Sequence, residues 1–194
     1  FLMGKVTRQK KDQFIQNWIN ILADNAHVKS YNPTHQESIR PFQEILPHLL
    51  KIIGQVQIFD VQAVKLTLTA ARYFLETDYQ LQKGRFFLNE AEKGSQEWNH
   101  PLKGRIAFLK GMVNYREASQ SNQENEQKRL FHEALTEFER ARAIFLAQNQ
   151  DELYLGMEQN PLKCNKEYQR AICIQFQGQT LVALGKLDEA ENRL

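Results

Sequence analysis

Three times along this chain a small residue sits where a helix would otherwise carry a large one, and large residues follow at set distances. The most complete copy has Ala107, Lys110-Gly111 and Asn114-Tyr115, then, after a polar insertion, Ala134, Phe138 and Ala141. A C-terminal copy has Ile174, Gln177-Gly178 and Leu181, then Leu184-Gly185-Lys186-Leu187-Asp188-Glu189-Ala190, with Leu194 at the next large position. The weakest has Leu66, Thr69-Ala70 and Tyr73, then Asp78-Tyr79, with Gly84, Leu88 and Ala91 set about two residues late. Small residues at such points let two helices approach closely while the large ones fill the gap. One such pair cannot bury its own apolar face, so recurrence predicts pairs stacked on one another.

Apolar spacing supports helices almost throughout. From Asp12, Phe14, Trp18 and Ile21 share a face, with Ile15, Ile19 and Leu22 beside them. A loop at Ser30-Tyr31-Asn32-Pro33 leads to Thr34, an expected helix cap. Pro41 and Pro47 lie inside the next apolar run. Each lacks a backbone donor, which predicts a break near Pro41 and a kink or fresh start near Pro47.

Further helices are expected over 60–77, 80–96, 101–119, 128–147, 166–184 and from 186 onward. No run alternates with period two long enough to make a sheet, so the predicted class is all-α. The polar stretch 119–127, SQSNQENEQ, predicts an extended loop. Gly156 and Asn160-Pro161 predict a long irregular connection over 148–165. The division follows: helical N-terminal linker over 1–58, repeat array over 59–194.

The array resembles the tetratricopeptide repeat family, whose first helix carries W-x2-L-G-x2-Y and whose second carries A-x3-F. The likeness covers about 60–194, with Gln177-Gly178 and Lys110-Gly111 in the Leu-Gly slot. The step from Ala70 to Gly111 is 41 residues, and Asn99-His100-Pro101 ends ten residues before Gly111. That spacing resembles the long repeats of kinesin light chains. Glu44-Ile45-Leu46-Pro47-His48-Leu49-Leu50 is similar to the lead-in segment before the repeats of NB-ARC or STAND signal-transduction ATPases.

The resemblance implies a right-handed α-solenoid whose first helices line a concave face, where a peptide or partner protein binds. It implies a non-catalytic interaction scaffold. In the alternative, the array is the ligand-sensing, autoinhibitory region of a nucleotide-switch ATPase, touching a nucleotide-binding domain upstream. The last copy stops roughly ten residues short of the usual ~34, and the chain opens on Phe1, so further sequence is expected on both sides.

Composition narrows the function classes. Lys plus Arg number 25 against 23 Asp plus Glu, a net charge of +2 that argues against nucleic-acid binding. Lys5, Arg8, Lys10 and Lys11 read as a solvated helix entry. Two cysteines, Cys164 and Cys173, are too few for a disulfide scaffold and suit a reducing, cytoplasmic setting. No stretch nears the ~20 apolar residues of a membrane span.

Neither Gly4-Lys5 nor Gly185-Lys186 completes a phosphate-cradling loop, so no nucleotide cofactor is expected within this chain. His27, His35, His48, His100 and His132 show no i, i+4 pairing, and no metal site is expected. Nothing assembles a nucleophile, a base and an orienting group, so no catalytic residue is assigned and the chain is not read as an enzyme.

Transferring the family's concave geometry places Arg105, Phe108, Met112, Tyr115 and Arg116 on one stripe of the 101–119 helix. Arginine and tyrosine are enriched at binding hot spots, and methionine adapts to varied shapes. The neighbouring stripes are Val64, Thr67, Ala71, Phe74 and Leu75 on one side and Ile172, Gln175, Gln179, Val182 and Ala183 on the other. Arg105, Phe108, Met112, Tyr115, Arg116, Phe74, Gln175 and Gln179 are the expected partner-binding residues. Leu109 and Met112 stand where asparagines would clamp a C-terminal carboxylate, so such a ligand is not expected.

Overall fold

The computed structural model describes residues 8–29, 31–33, 35–56, 60–95, 102–147 and 166–193. Its helices are α1 (Arg8–Asp24), α2 (Ala26–Lys29), α3 (Gln36–Ile53), α4 (Val61–Arg72), α5 (Leu81–Gly94), α6 (Leu102–Gln120), α7 (Glu124–Ala147), α8 (Lys166–Ala183) and α9 (Leu187–Glu191). A π-helical turn, Tyr73–Thr77, extends α4. There is no strand among the described residues, so the chain is all-α, as its apolar spacing predicts.

From α4 onward each helix packs chiefly on its neighbours in sequence, most extensively α6 on α7, while α1, α2 and α3 pack on one another, and α1 and α3 also pack on α4. Two apolar cores result. Ile15, Ile19, Phe42 and Leu49 meet Ala63, Leu66, Ala70 and Phe74 in the N-terminal one. Val64, Leu68 and Ala71, on the opposite side of α4, join Leu88, Leu102, Ile106, Phe138 and Phe145 in the other. Helix α4 is therefore buried on almost every side, its Thr67, Thr69 and Arg72 included.

The small residues are notches. A Cβ on Gly111 would lie 2.6 Å from the Phe138 ring, and one on Gly104 2.6 Å from the Phe145 ring. Gly84 receives Leu75 in the same way. Gly185 has a different role. It ends α8 at φ 75°, and the amide of Lys186 bonds the Leu181 carbonyl at 2.9 Å while its own amide bonds that of Val182 at 2.9 Å. This is a Schellman close, which favours glycine because side chains resist that φ.

Several local expectations are corrected. Helix α3 runs through both Pro41 and Pro47 without a break. Two backbone bonds are lost, yet Phe42, Leu46, Leu49 and Ile53 remain buried along one face, and that burial outweighs the lost bonds. Pro47 and Gln43, the residue whose carbonyl it leaves without a helical donor, are both exposed. The N-cap of α3 is His35; Thr34 lies outside the described residues.

The SQSNQENEQ segment is also mostly helical, with only 121–123 between α6 and α7. Its charges form helix-surface pairs, Glu124 with Lys128 at 2.5 Å and Glu126 with Arg129 at 2.6 Å, so its polarity marks a solvated face. The connection at 148–165, with Gly156, Asn160-Pro161 and Cys164, lies outside the described residues, as do Asn99-His100-Pro101 and Leu194.

A polar staple ties three successive helices. Glu92 on α5 accepts from Lys110 Nζ on α6 at 2.6 Å and from Arg140 Nη1 on α7 at 2.7 Å. Partial burial works against its ionisation, but these two bonds outweigh that and hold its carboxyl below the ordinary value of 4.5. A carboxyl lowered on folding contributes stability that is complete above the ordinary value and lost as pH falls through the folded one. Arg140 is 40% exposed, and solvent screening keeps the contribution to about 1 kcal/mol. Glu92→Gln is thus expected to destabilise by about 1 kcal/mol at pH 7 and by little at pH 3, read from urea unfolding at the two pH values.

Candidate partner-binding groove

An open groove of about 590 Å³ lies between α6 and α8, lined by Tyr115, Gln175, Gly178, Gln179, Val182 and Ala183. Its α8 wall follows from helical spacing. Gln175, Gln179 and Val182 fall at i, i+4 and i+7, so they share one face. The opposite face, with Cys173, Gln177, Thr180 and Leu181, is buried. Gly178 contributes backbone alone, which leaves the wall low between the two glutamines.

Across the groove, the Tyr115 ring is held edge-on by Phe131, centroids 5.4 Å apart, and by Phe176 at 6.1 Å. Those contacts leave the ring little freedom. Among the described residues, no charged side chain lines the groove. Its polar groups are one phenol and two carboxamides, which both donate and accept hydrogen bonds.

The eight expected binding residues divide. Tyr115, Gln175 and Gln179 line the groove. Met112 is half-buried against the core that α6 shares with α7. Phe108 is 7% exposed and packs on Phe138 at 5.7 Å and Phe176 at 5.8 Å. Phe74 is 4% exposed and stacks on Phe87 at 5.5 Å. Val64, Thr67, Ala71 and Leu75, its stripe-mates, are buried too.

The two arginines are structural anchors. Arg105 lies over the Phe108 ring at 5.8 Å and donates to Gln169 Oε1 at 3.2 Å. Arg116 donates to the Leu75 carbonyl at 2.6 Å, binding α6 to the π-helical turn. Sequence reasoning placed Val182 and Ala183 on the same stripe as Gln175 and Gln179 without choosing them, and took Gly178 only as a packing notch. The signal for Gly178 was its spacing, three residues after Gln175 and four before Val182.

The buried Cys173 and Tyr31 are held in their neutral forms. Burial pushes the Cys173 thiol up to about 12 against the pull of Arg105 and Arg142, so it carries almost no thiolate near neutral pH. Burial likewise pushes the Tyr31 phenol to about 12, its hydroxyl 2.7 Å from that of Thr77. Among the described residues no group of His, Cys, Asp and Glu is placed to hold a metal ion. None of the described helices is long and apolar enough to cross a membrane. No family model matches this chain, and neither a curated protein nor a solved structure is significantly similar to it.

Proposed function

We propose that this chain is a tetratricopeptide-like interaction module, a right-handed solenoid of helix pairs, that holds an extended, uncharged peptide segment of a partner protein in the α6–α8 groove. The observation that carries the reading is the groove itself. Alternate helices α6 and α8 form its walls, and among the described residues its lining is apolar except for a fixed phenol and two amides.

A charged ligand would lose water there without gaining a counter-charge, which disfavours acidic and phosphorylated segments. A peptide backbone suits it better, because Gln175 and Gln179 can each donate to a carbonyl and accept from an amide. Val182, 52% exposed, offers apolar contact for a small side chain. The groove volume lies within the range of ordinary ligand sites. The role is non-catalytic, and specificity comes from shape and amide pairing.

The test is selection of peptides from a displayed random library, with affinities then measured by calorimetry. Uncharged sequences are expected to emerge. Gln179→Ala should weaken the best peptide about tenfold, the worth of one or two buried hydrogen bonds. Val182→Asp should abolish binding with the helical circular-dichroism signal unchanged. Selection of only acidic peptides, or affinity indifferent to both substitutions, would refute the reading.

A further inference from the structure

Helix α1 is apolar on two sides. Ile15, Ile19 and Leu22 are buried in the N-terminal core. On its outward side Phe14 is 58%, Trp18 39% and Ile21 57% exposed. Phe14 and Trp18 meet edge-on with centroids 6.2 Å apart, so the exposed aromatics form one continuous ridge. A surface helix normally turns polar residues to water; this one turns a ridge of large apolar groups.

The order of residues along the ridge points to what covers it. Lys10, Phe14, Asn17, Ile21 and Asp24 alternate by four and three positions, the spacing of a helix-to-helix seam. The cation stands at one end, the anion at the other, and the amide in the middle. Reversing the ridge end for end therefore produces its own complement. Two copies laid antiparallel set Lys10 beside Asp24 of the partner subunit and Phe14 against the partner's Ile21, with the axis passing near Asn17. Self-complementarity of this kind is what a two-fold contact requires.

We propose that α1 is a homotypic contact, joining two copies of this chain antiparallel along the Phe14–Trp18–Ile21 ridge. A lipid surface fits less well. It would call for cations along the ridge, whereas those of α1 (Arg8, Lys10 and Lys11) gather at its start, Asn17 stands mid-ridge and Asp24 closes the end. The helix has 17 residues and is roughly 25 Å long. Such a contact covers less than the ~800 Å² per partner of stable complexes, so the dimer is weak, with Kd on the order of 100 µM. It lies in the opposite part of the chain from the α6–α8 groove, and does not depend on the reading of that groove.

Sedimentation equilibrium from 10 µM to 1 mM (about a decade either side of that Kd) tests it. The chain is expected to move from monomer to dimer. Phe14→Glu and Ile21→Glu should each leave it monomeric, Lys10→Glu should weaken the dimer about fivefold, and Lys10→Glu with Asp24→Lys should restore it. These side chains are exposed, and circular dichroism verifies that the variants fold. As a second reading, Asn17→Cys should form a disulfide-linked dimer under mild oxidation that the parent chain does not form. A monomer at every concentration, a dimer indifferent to Phe14→Glu, or co-sedimentation with anionic phosphatidylserine vesicles that Phe14→Glu removes while the chain stays monomeric would each overturn the proposal.

Discussion

Truncating Phe138 to alanine is expected to cost about 4 kcal/mol of folding stability, several times what the Glu92 staple contributes. The ring is fully buried. It stacks on Phe176 of α8 at 5.4 Å, leans on Phe108 of α6 at 5.7 Å and fills the space that Gly111 leaves open. Three helices therefore meet on one side chain. Its removal loses the transfer energy of a benzyl group and leaves a cavity that rigid helices cannot close. Domains of this kind hold only about 5–15 kcal/mol in total, so the variant should unfold at visibly lower urea concentration and lose roughly 8–16 °C of Tm. The groove should also suffer, because Phe176 helps hold Tyr115. A loss under about 1.5 kcal/mol would show that the ring cluster is not the centre of this core.

The second large effect comes from the other side of the same contact. Gly111→Val should destabilise by about 3 kcal/mol. An alanine in mid-helix normally gains about 1 kcal/mol over glycine, and α6 taken in isolation would be stabilised by the change. In the folded chain the added Cβ would stand 2.6 Å from the Phe138 ring, which cannot swing away because Phe108 and Phe176 wedge it. The branched side chain of valine worsens the clash and reduces the propensity gain. Relief should come from shrinking the opposing group. Gly111→Ala combined with Phe138→Leu is expected to be more stable than the sum of its single changes, since the two residues touch and their effects are not additive. Independent effects in that cycle would mean that α6 and α7 are not held at this notch.

These two residues also show how much of the fold is legible in sequence. The positions of Gly111 and Phe138 in their helices can be read from spacing, because periodicity is a local rule with a fixed rise per residue; that the ring fills this particular notch is seen only in the packed helices. The same rules misread Pro41 and Pro47. A proline disrupts a helix by local bookkeeping, while the burial of Phe42, Leu46 and Leu49 that carries α3 through depends on residues far away in the chain. SQSNQENEQ failed for a related reason. A polar run looks alike as a loop and as the solvated face of a helix, and only the start of α7 at Glu124 separates them.

The candidate site divides along the same line. Helical spacing grouped Ile172, Gln175, Gln179, Val182 and Ala183 on one stripe and placed Tyr115 on the helix opposite; the last four of that stripe line the groove, while Ile172 packs on the core. Spacing could not distinguish Tyr115 from Phe108, two turns away on α6, because both are large aromatics on the same stripe. Phe108 is closed in by Phe176 and Phe138, and those rings arrive from α8 and α7.

By itself, then, the order of residues determined that this chain is helical, where most helices lie, and that small residues would alternate with large ones where helices approach. Each of those follows from interactions within a few turns of helix. Which apolar stripe became core, which stayed open as a groove, and which was left as a bare ridge on α1 was decided only by tertiary structure. Exposure is a property of what packs on top, and that depends on the direction in which each helix leaves its turn.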